Sequence, residues 1–341
     1  MTSRKITLRD VASRAQVSVS TVSMVLSNKA QDGNVRISDP TIRKVRQIAQ
    51  EMGYLARRRQ LVGLILTWFR DATETPMIYS IIEKLREIDS LHLAVGPTTR
   101  ADIKEEFSEL EMADRQGFDG VIMEPSFTLL QQLEEQPGLL ASCKNLVFIN
   151  RYPVAGIPCV TIDHRRCGEL AARHLLKLGH RHVAFLEGHL LPSPSSYHPV
   201  QERQVLEHRL HGFRQALGVH GLDCQVFGGV HELLDQRQNY TAVYCAHTRG
   251  ATTLVSEGWH RGVDMPEQLS IVGQDDESAK ATAKPALTTV DVRASEVGAR
   301  AAKMIQDRIE GRDPASIVLQ PTLISRDSVV DRTATRTHTQ S

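Results

Sequence analysis

Thr7-Leu8-Arg9-Asp10-Val11-Ala12-Ser13-Arg14-Ala15, then Gln16-Val17-Ser18, then Val19-Ser20-Thr21-Val22-Ser23-Met24-Val25-Leu26 reads as two short helices joined by a tight turn. Thr7 is placed to cap the first helix, with Asp10 answering back to the Thr7 backbone as in a capping box. Leu8, Val11, Ala12 and Ala15 recur at helical spacing and form one apolar face. Ser18 is a good cap for the second helix, which should turn Val22, Val25 and Leu26 inward. That leaves Val19, Ser20, Ser23 and Met24 more exposed. In such a pair the second helix is free to enter a DNA major groove. A third helix is marked by Ser38-Asp39-Pro40, with Ser38 as its cap and Pro40 in its first turn; it runs through Ile42, Val45, Ile48, Ala49 and Met52, and stops at Gly53.

Charge is distributed to match. The chain carries a net +1 overall, but residues 1–60 alone hold 12 Lys/Arg against 4 Asp/Glu, which leaves the remainder acidic. A basic head on an acidic body is the footprint of a polyanion-binding module attached to something else.

From residue 61 onward, short apolar runs alternate with amphipathic helical segments. Strands are expected at 61–66, 92–96, 120–123 and 145–149, with helices at 78–85 and 103–116. The pattern restarts with strands at 183–186, 242–245 and 269–272. Such alternation argues for an α/β architecture of parallel sheets with crossover helices. Two sheets give two lobes, and ligands bind where strand ends face a crevice.

The run Ile6 to Asn28, followed by Glu51-Met52-Gly53-Tyr54, resembles the headpiece of the LacI/GalR family of transcriptional regulators. The likeness extends through 174–185, Arg209-Leu210-His211-Gly212-Phe213, 269–276, 285–290 and 321–326. The resemblance implies a helix-turn-helix head followed by a two-lobed, periplasmic-binding-protein-like body that dimerises and closes on a small-molecule effector, expected to be a sugar. It implies that Val19, Ser20 and Met24 read base edges, and that Thr7, Ser18, Thr21 and Ser23 lie near phosphates, which position without specifying. Asn28 is also expected among the DNA-binding residues. Met24 stands where most relatives carry an arginine; it offers apolar contact, for example to a thymine methyl, in place of two hydrogen bonds to guanine. The loop 29–36 is longer than usual. The connector 55–60 is too short for the family's hinge helix, but Arg57, Arg58 and Arg59 suit phosphates or a narrow minor groove.

In the sensor, Arg209 matches an arginine that binds effector hydroxyls or carboxylates, and Asp275 an aspartate that accepts from hydroxyls. Asn150 and Asp163 fall at ligand-facing positions after their strands. Trp68 and Tyr79, with Phe69, are aromatic candidates for a sugar face, and His247 replaces a usual asparagine. The loop 190–199 is expected at the cleft edge. The expected division is a DNA-binding domain at 1–56, a basic linker at 57–60, an effector-binding and dimerisation domain at 61–330, and a polar tail at 331–341. Its lobes are 61–160 with 288–320, and 161–287 with 321–330.

Other classes fit less well. No Walker A, G-x-S-x-G or H-E-x-x-H motif occurs, so no enzyme is expected. Five cysteines without a C-x-x-C spacing suggest neither a disulfide framework nor a zinc site, and no cofactor is expected. No apolar run approaches a membrane span and no secretory signal is evident, which points to a cytoplasmic protein. The partners expected are a pseudo-palindromic double-stranded operator, a second copy of the chain and the effector. A nucleobase or phosphorylated corepressor remains open beside a sugar, as does a sugar-binding protein that has lost specific DNA binding.

Overall fold

Three helices make the head. The computed structural model describes residues 6–26, 37–54, 60–66, 74–87, 91–97, 103–141, 143, 145–188, 199–274 and 284–333 (backbone alone at 91–97, 199–203 and Thr248). Asn28, the loop 29–36, Arg57 to Arg59, Trp68, Phe69, Asp275, nearly all of the 190–199 loop and the end of the tail lie outside these residues.

Helix α1 (Leu8–Ala15) carries the expected capping box: the Asp10 carboxylate accepts from the Thr7 backbone N–H at 2.7 Å, and the Thr7 hydroxyl accepts from the Asp10 N–H. Gln16 ends it in the left-handed region, φ 57°, donating to Ala12 and Ser13 carbonyls. That single residue turns the chain into α2 (Val19–Leu26), where Ser18 Oγ accepts from the Thr21 N–H at 3.0 Å. Helix α3 (Asp39–Glu51) starts with Pro40 in its first turn, but the expected Ser38 cap is not made: the Ser38 hydroxyl bonds the Thr41 hydroxyl at 2.9 Å instead. Gly53, φ +68°, supplies the left-handed turn after this helix that a Cβ would strain. Val11, Ala12, Ala15, Val22, Val25, Leu26, Val45 and Ala49 form a core of their own, separate from the cores of the body.

Among the described residues, the body is two six-stranded sheets. In chain order its elements are β1 (Gln60–Leu66), α4 (Glu74–Arg86), β2 (Leu91–Pro97), α5 (Ile103–Arg115), β3 (Gly120–Glu124), α6 (Phe127–Glu135), β4 (Leu146–Ile149), β5 (Cys159–Ile162), α7 (His164–Lys177), β6 (Val183–Leu186), α8 (Pro199–Gly218), β7 (Cys224–Phe227), α9 (Val230–Asp235), β8 (Ala242–Cys245), α10 (Thr248–His260), β9 (Ser270–Gln274), β10 (Thr288–Asp291), α11 (Ala294–Ile309), β11 (Ile317–Leu319) and β12 (Thr322–Ile324). The sheet orders are β11-β5-β4-β3-β1-β2 and β12-β10-β9-β8-β6-β7. All pairings are parallel except β10 with β12. The inner strands β3, β4, β6 and β8 are fully buried and mostly apolar, as strands covered by helices on both faces require.

The lobe boundaries differ from those expected. All of β5 belongs to the first sheet, so the chain leaves that lobe at Asp163, not at residue 161. Strand β10 belongs to the second sheet, where β9 flanks it on one side and β12 on the other. The return therefore falls after Asp291, where the Asp291 carboxylate accepts from the Arg293 N–H at 2.6 Å and Arg293 adopts φ 53°. The last passage lies between β11 and β12. The chain thus crosses between lobes three times.

Candidate functional site

On the head, α2 buries Val22, Val25 and Leu26 and turns Val19, Ser20 and Ser23 to solvent, with Thr21 and Met24 half-buried. The helix carries no charged residue. Its exposed face offers hydroxyls and apolar tips, and at its start the Ser18 hydroxyl lies 2.7 Å from that of Ser20 and 2.8 Å from that of Thr21.

In the body, three of the candidates stand at the carboxyl ends of strands. In each sheet the strand order reverses between the first and third strands, and crevices open at the carboxyl ends of strands flanking such a switch. Asn150 directly follows β4, Asp163 follows β5, and His247 stands two residues beyond β8. Each is at a carboxyl end. Asn150 is held at φ 56°, and its amide donates towards Glu124 Oε1 at 3.4 Å. Glu124 also pairs with Arg151 at 3.0 Å, and both side chains are about nine-tenths buried.

Arg209 enters from α8. Its backbone reaches the crevice because α7 and α8 cross at Gly168 and Gly212: a Cβ on Gly168 would stand 1.8 Å from the Arg209 carbonyl, and one on Gly212 1.8 Å from the Arg165 carbonyl. Only glycine permits that approach. Arg209 is 8% exposed and donates to the Ala246 carbonyl at 2.5 Å; its other terminal nitrogen lies 3.3 Å from His164 Nδ1. Burial holds the His164 pKa well below its ordinary value, and the charges of Arg209, Arg151 and His208 act in the same direction. His164 is therefore neutral.

A cavity of about 10 Å³, room for one water, is lined by Phe127, Asn150, Arg151, Tyr152, His164, Gln204, Val205 and His208. The Tyr152 ring stacks on His208. Burial raises the Tyr152 pKa, and the Asp163 carboxylate adds to the shift. The cavity brings Asn150 together with groups that sequence reasoning passed over: Arg151, Tyr152, His164, Gln204 and His208. Asp163 is occupied otherwise, capping α7 by accepting from the Arg166 N–H at 2.9 Å. His247 begins α10 beside Gly188. Tyr79, on α4, is 65% exposed and does not line the cavity.

Residues 7–56 match the lacI family of bacterial regulatory proteins, and residues 172–329 match a periplasmic binding protein-like domain. The HTH-type transcriptional regulator DegA of Bacillus subtilis (strain 168) is 28% identical over 349 residues, covering 95% of this chain and 98% of that protein. The chain belongs to the LacI family. Two solved structures share its fold. The transcriptional regulator CelR–cellobiose complex superposes with TM-score 0.64 at 24% identity, over 95% of this chain and 100% of that one. The lac repressor dimer bound to operator and the anti-inducer ONPF gives 0.65 at 20% identity, over 96% and 100%. This LacI-family chain is a DNA-binding transcriptional regulator with a ligand-binding sensor domain, and not an enzyme. No described helix is long and apolar enough to cross a membrane.

Most of the cavity residues that sequence reasoning passed over left a faint signal. Arg151-Tyr152 directly follows Asn150 at a strand end, and His208 directly precedes Arg209. His164 follows a helix cap, where a histidine reads as solvated.

Proposed function

We propose that this LacI-family regulator is a cytoplasmic, homodimeric repressor whose two α2 helices each read one half-site of a roughly palindromic operator. Protein two-fold symmetry is mirrored in such sites. The observation that carries this reading is the uncharged outward face of α2, held by a capped, independently cored head. Val19, Ser20 and Met24 contact base edges. Thr7, Ser18, Thr21, Ser23 and Asn28 contact phosphates, and Arg57, Arg58 and Arg59 follow the backbone towards the operator centre. A helix without arginine or lysine favours apolar contact with thymine methyls over bidentate recognition of guanine.

The effector binds between the lobes, against Asn150, Arg209, His247 and Asp275, with Asp163 shaping the start of α7. A sugar is the effector class favoured, because a ring of fixed donors suits hydroxyls that accept and donate; the cellobiose bound by the structurally similar CelR accords with it. Effector-sized pockets span roughly 300 Å³ or more, so the lobes or their lining side chains part to admit it.

Selection from random duplexes with the purified protein tests the reading. A two-fold symmetric consensus, bound with a steep inverse dependence on salt, is expected. Weak binding without enrichment, in the presence and absence of candidate effectors, would overturn it.

A further inference from the structure

Three hydroxyls share their protons at the start of α2. Ser18 Oγ accepts from the Thr21 N–H at 3.0 Å, and it lies 2.7 Å from Ser20 Oγ and 2.8 Å from Thr21 Oγ1. A hydroxyl has one proton and two lone pairs. The Thr21 N–H occupies one lone pair of Ser18. One lone pair and one proton remain to meet two neighbouring hydroxyls. One neighbour therefore donates to Ser18 while the other accepts from it. In water the two arrangements interconvert, and the neighbour that accepts keeps its own proton free to point outward.

DNA removes that freedom. A phosphate oxygen only accepts, so a hydroxyl that meets one directs its proton there. If Thr21 donates to a phosphate, it accepts the Ser18 proton, and Ser20 is the neighbour that donates to Ser18. If Ser18 itself donates to the phosphate, the bond between Ser18 and Ser20 survives only with Ser20 as donor. Either way the Ser20 proton is turned inward, and Ser20 Oγ meets a base edge with lone pairs alone. In the major groove adenine N6 and cytosine N4 donate, whereas guanine N7 and O6 and thymine O4 accept. A serine outside such a relay serves either kind of edge.

We propose that Ser18 sets specificity through Ser20: by engaging the Ser20 proton it makes Ser20 an obligate acceptor, which selects a base bearing an exocyclic amino group, adenine or cytosine, at one position of each half-site. Ser18 is thus a positioning residue for a base contact. The inference rests on the operator reading above, with Ser20 at a base edge and Ser18 or Thr21 at a phosphate. That DNA is the ligand of this head follows independently from the match of residues 7–56 to the lacI family.

Selection from random duplexes tests it with the full chain as wild type, Ser20→Ala, Ser18→Gly and Ser18→Asp. The position read by Ser20 is the one at which Ser20→Ala flattens the consensus. There the wild type should enrich adenine or cytosine over guanine or thymine roughly three- to tenfold, the range of one net hydrogen bond. Ser18→Gly removes the relay while glycine still serves as a helix cap. It should weaken binding to all sites by a common factor and reduce the preference at that one position to about twofold or less. A role of Ser18 in folding alone would not single out one position. Ser18→Asp caps the helix and accepts but has no proton to give, so Ser20 still donates inward and the preference should persist. Guanine or thymine enriched at that position overturns the proposal, as does a preference that survives Ser18→Gly or disappears in Ser18→Asp. A Ser20→Ala consensus identical to wild type overturns it too, because Ser20 then reads no base. Each of these results leaves a two-fold symmetric consensus, and with it the operator reading, in place; no consensus for the wild type overturns both.

Discussion

The Tyr152 ring stacks on the His208 imidazole with centroids 5.3 Å apart and planes 28° from parallel. Tyr152 follows the last residues of β4 in one lobe, and His208 lies on α8 of the other, so the stack ties the lobes across the mouth of the cleft. Aromatic pairs of this kind contribute about 0.5–1.5 kcal/mol beyond their buried area. A double-mutant cycle on unfolding stability, with Tyr152→Ala and His208→Ala, should return a coupling in that range; strictly additive effects would show that the rings do not act together.

The α7–α8 crossing should tolerate no added methyl. Gly168→Ala or Gly212→Ala would drive a Cβ into backbone, which has no rotamer to yield, and should cost about 3 kcal/mol or more in urea unfolding. Gly218→Ala, at the end of α8 with nothing within 4 Å, serves as the contrast and should be neutral or stabilising by under about 1 kcal/mol. Equal effects at all three positions would contradict the close approach.

His180 makes stability pH-dependent. It is buried, bonded to the Thr241 hydroxyl at 2.9 Å and the Val330 carbonyl at 3.1 Å, and burial lowers its pKa to about 4. Its neighbours Arg332, His174 and Arg181 favour the neutral ring, while the Val330 bond opposes the shift. Because the folded pKa lies below the unfolded value near 6.5, this contribution is fully present above that value and is lost as pH falls towards about 4. The loss is of the order of 2–3 kcal/mol. His164, depressed in the same direction, adds to it. Urea titrations at pH 7 and pH 5 should show a smaller decrease for His180→Gln than for the wild type.

On the proposed reading, Met24 sets operator preference. Met24→Arg should move the selected consensus towards a guanine in each half-site, with discrimination of about 1–3 kcal/mol at that base pair. Recovery of one consensus for both proteins would remove Met24 from base reading.

The head was readable in sequence nearly to the residue, because caps and helical periodicity are local. The Thr7–Asp10 box and the inward set Val22, Val25 and Leu26 appear as expected. Ser38 escaped, since nothing in the sequence tells a hydroxyl to prefer Thr41 over the backbone. Seven strands of the body, β1 to β4, β6, β8 and β9, were also readable as apolar runs, whereas β5, β7, β10, β11 and β12 were not expected and the assignment of strands to sheets was not readable. Strand β10 resembles its neighbours, and only the distant β12 decides which lobe it joins. Likewise, Arg209 stood out by resemblance, whereas Tyr152 and His208 meet only through a contact between lobes.

The three passages between lobes govern how this protein can be recombined. Strands β11 and β12, close in sequence, each complete a different sheet. No single cut therefore releases a lobe intact, and a chimaera exchanging one lobe with a relative needs three junctions in register. The head has its own core and joins the body through a single stretch, so one junction transplants it. DNA address and chemical sense are thus separable by one splice, whereas the two halves of the sensor must be inherited together.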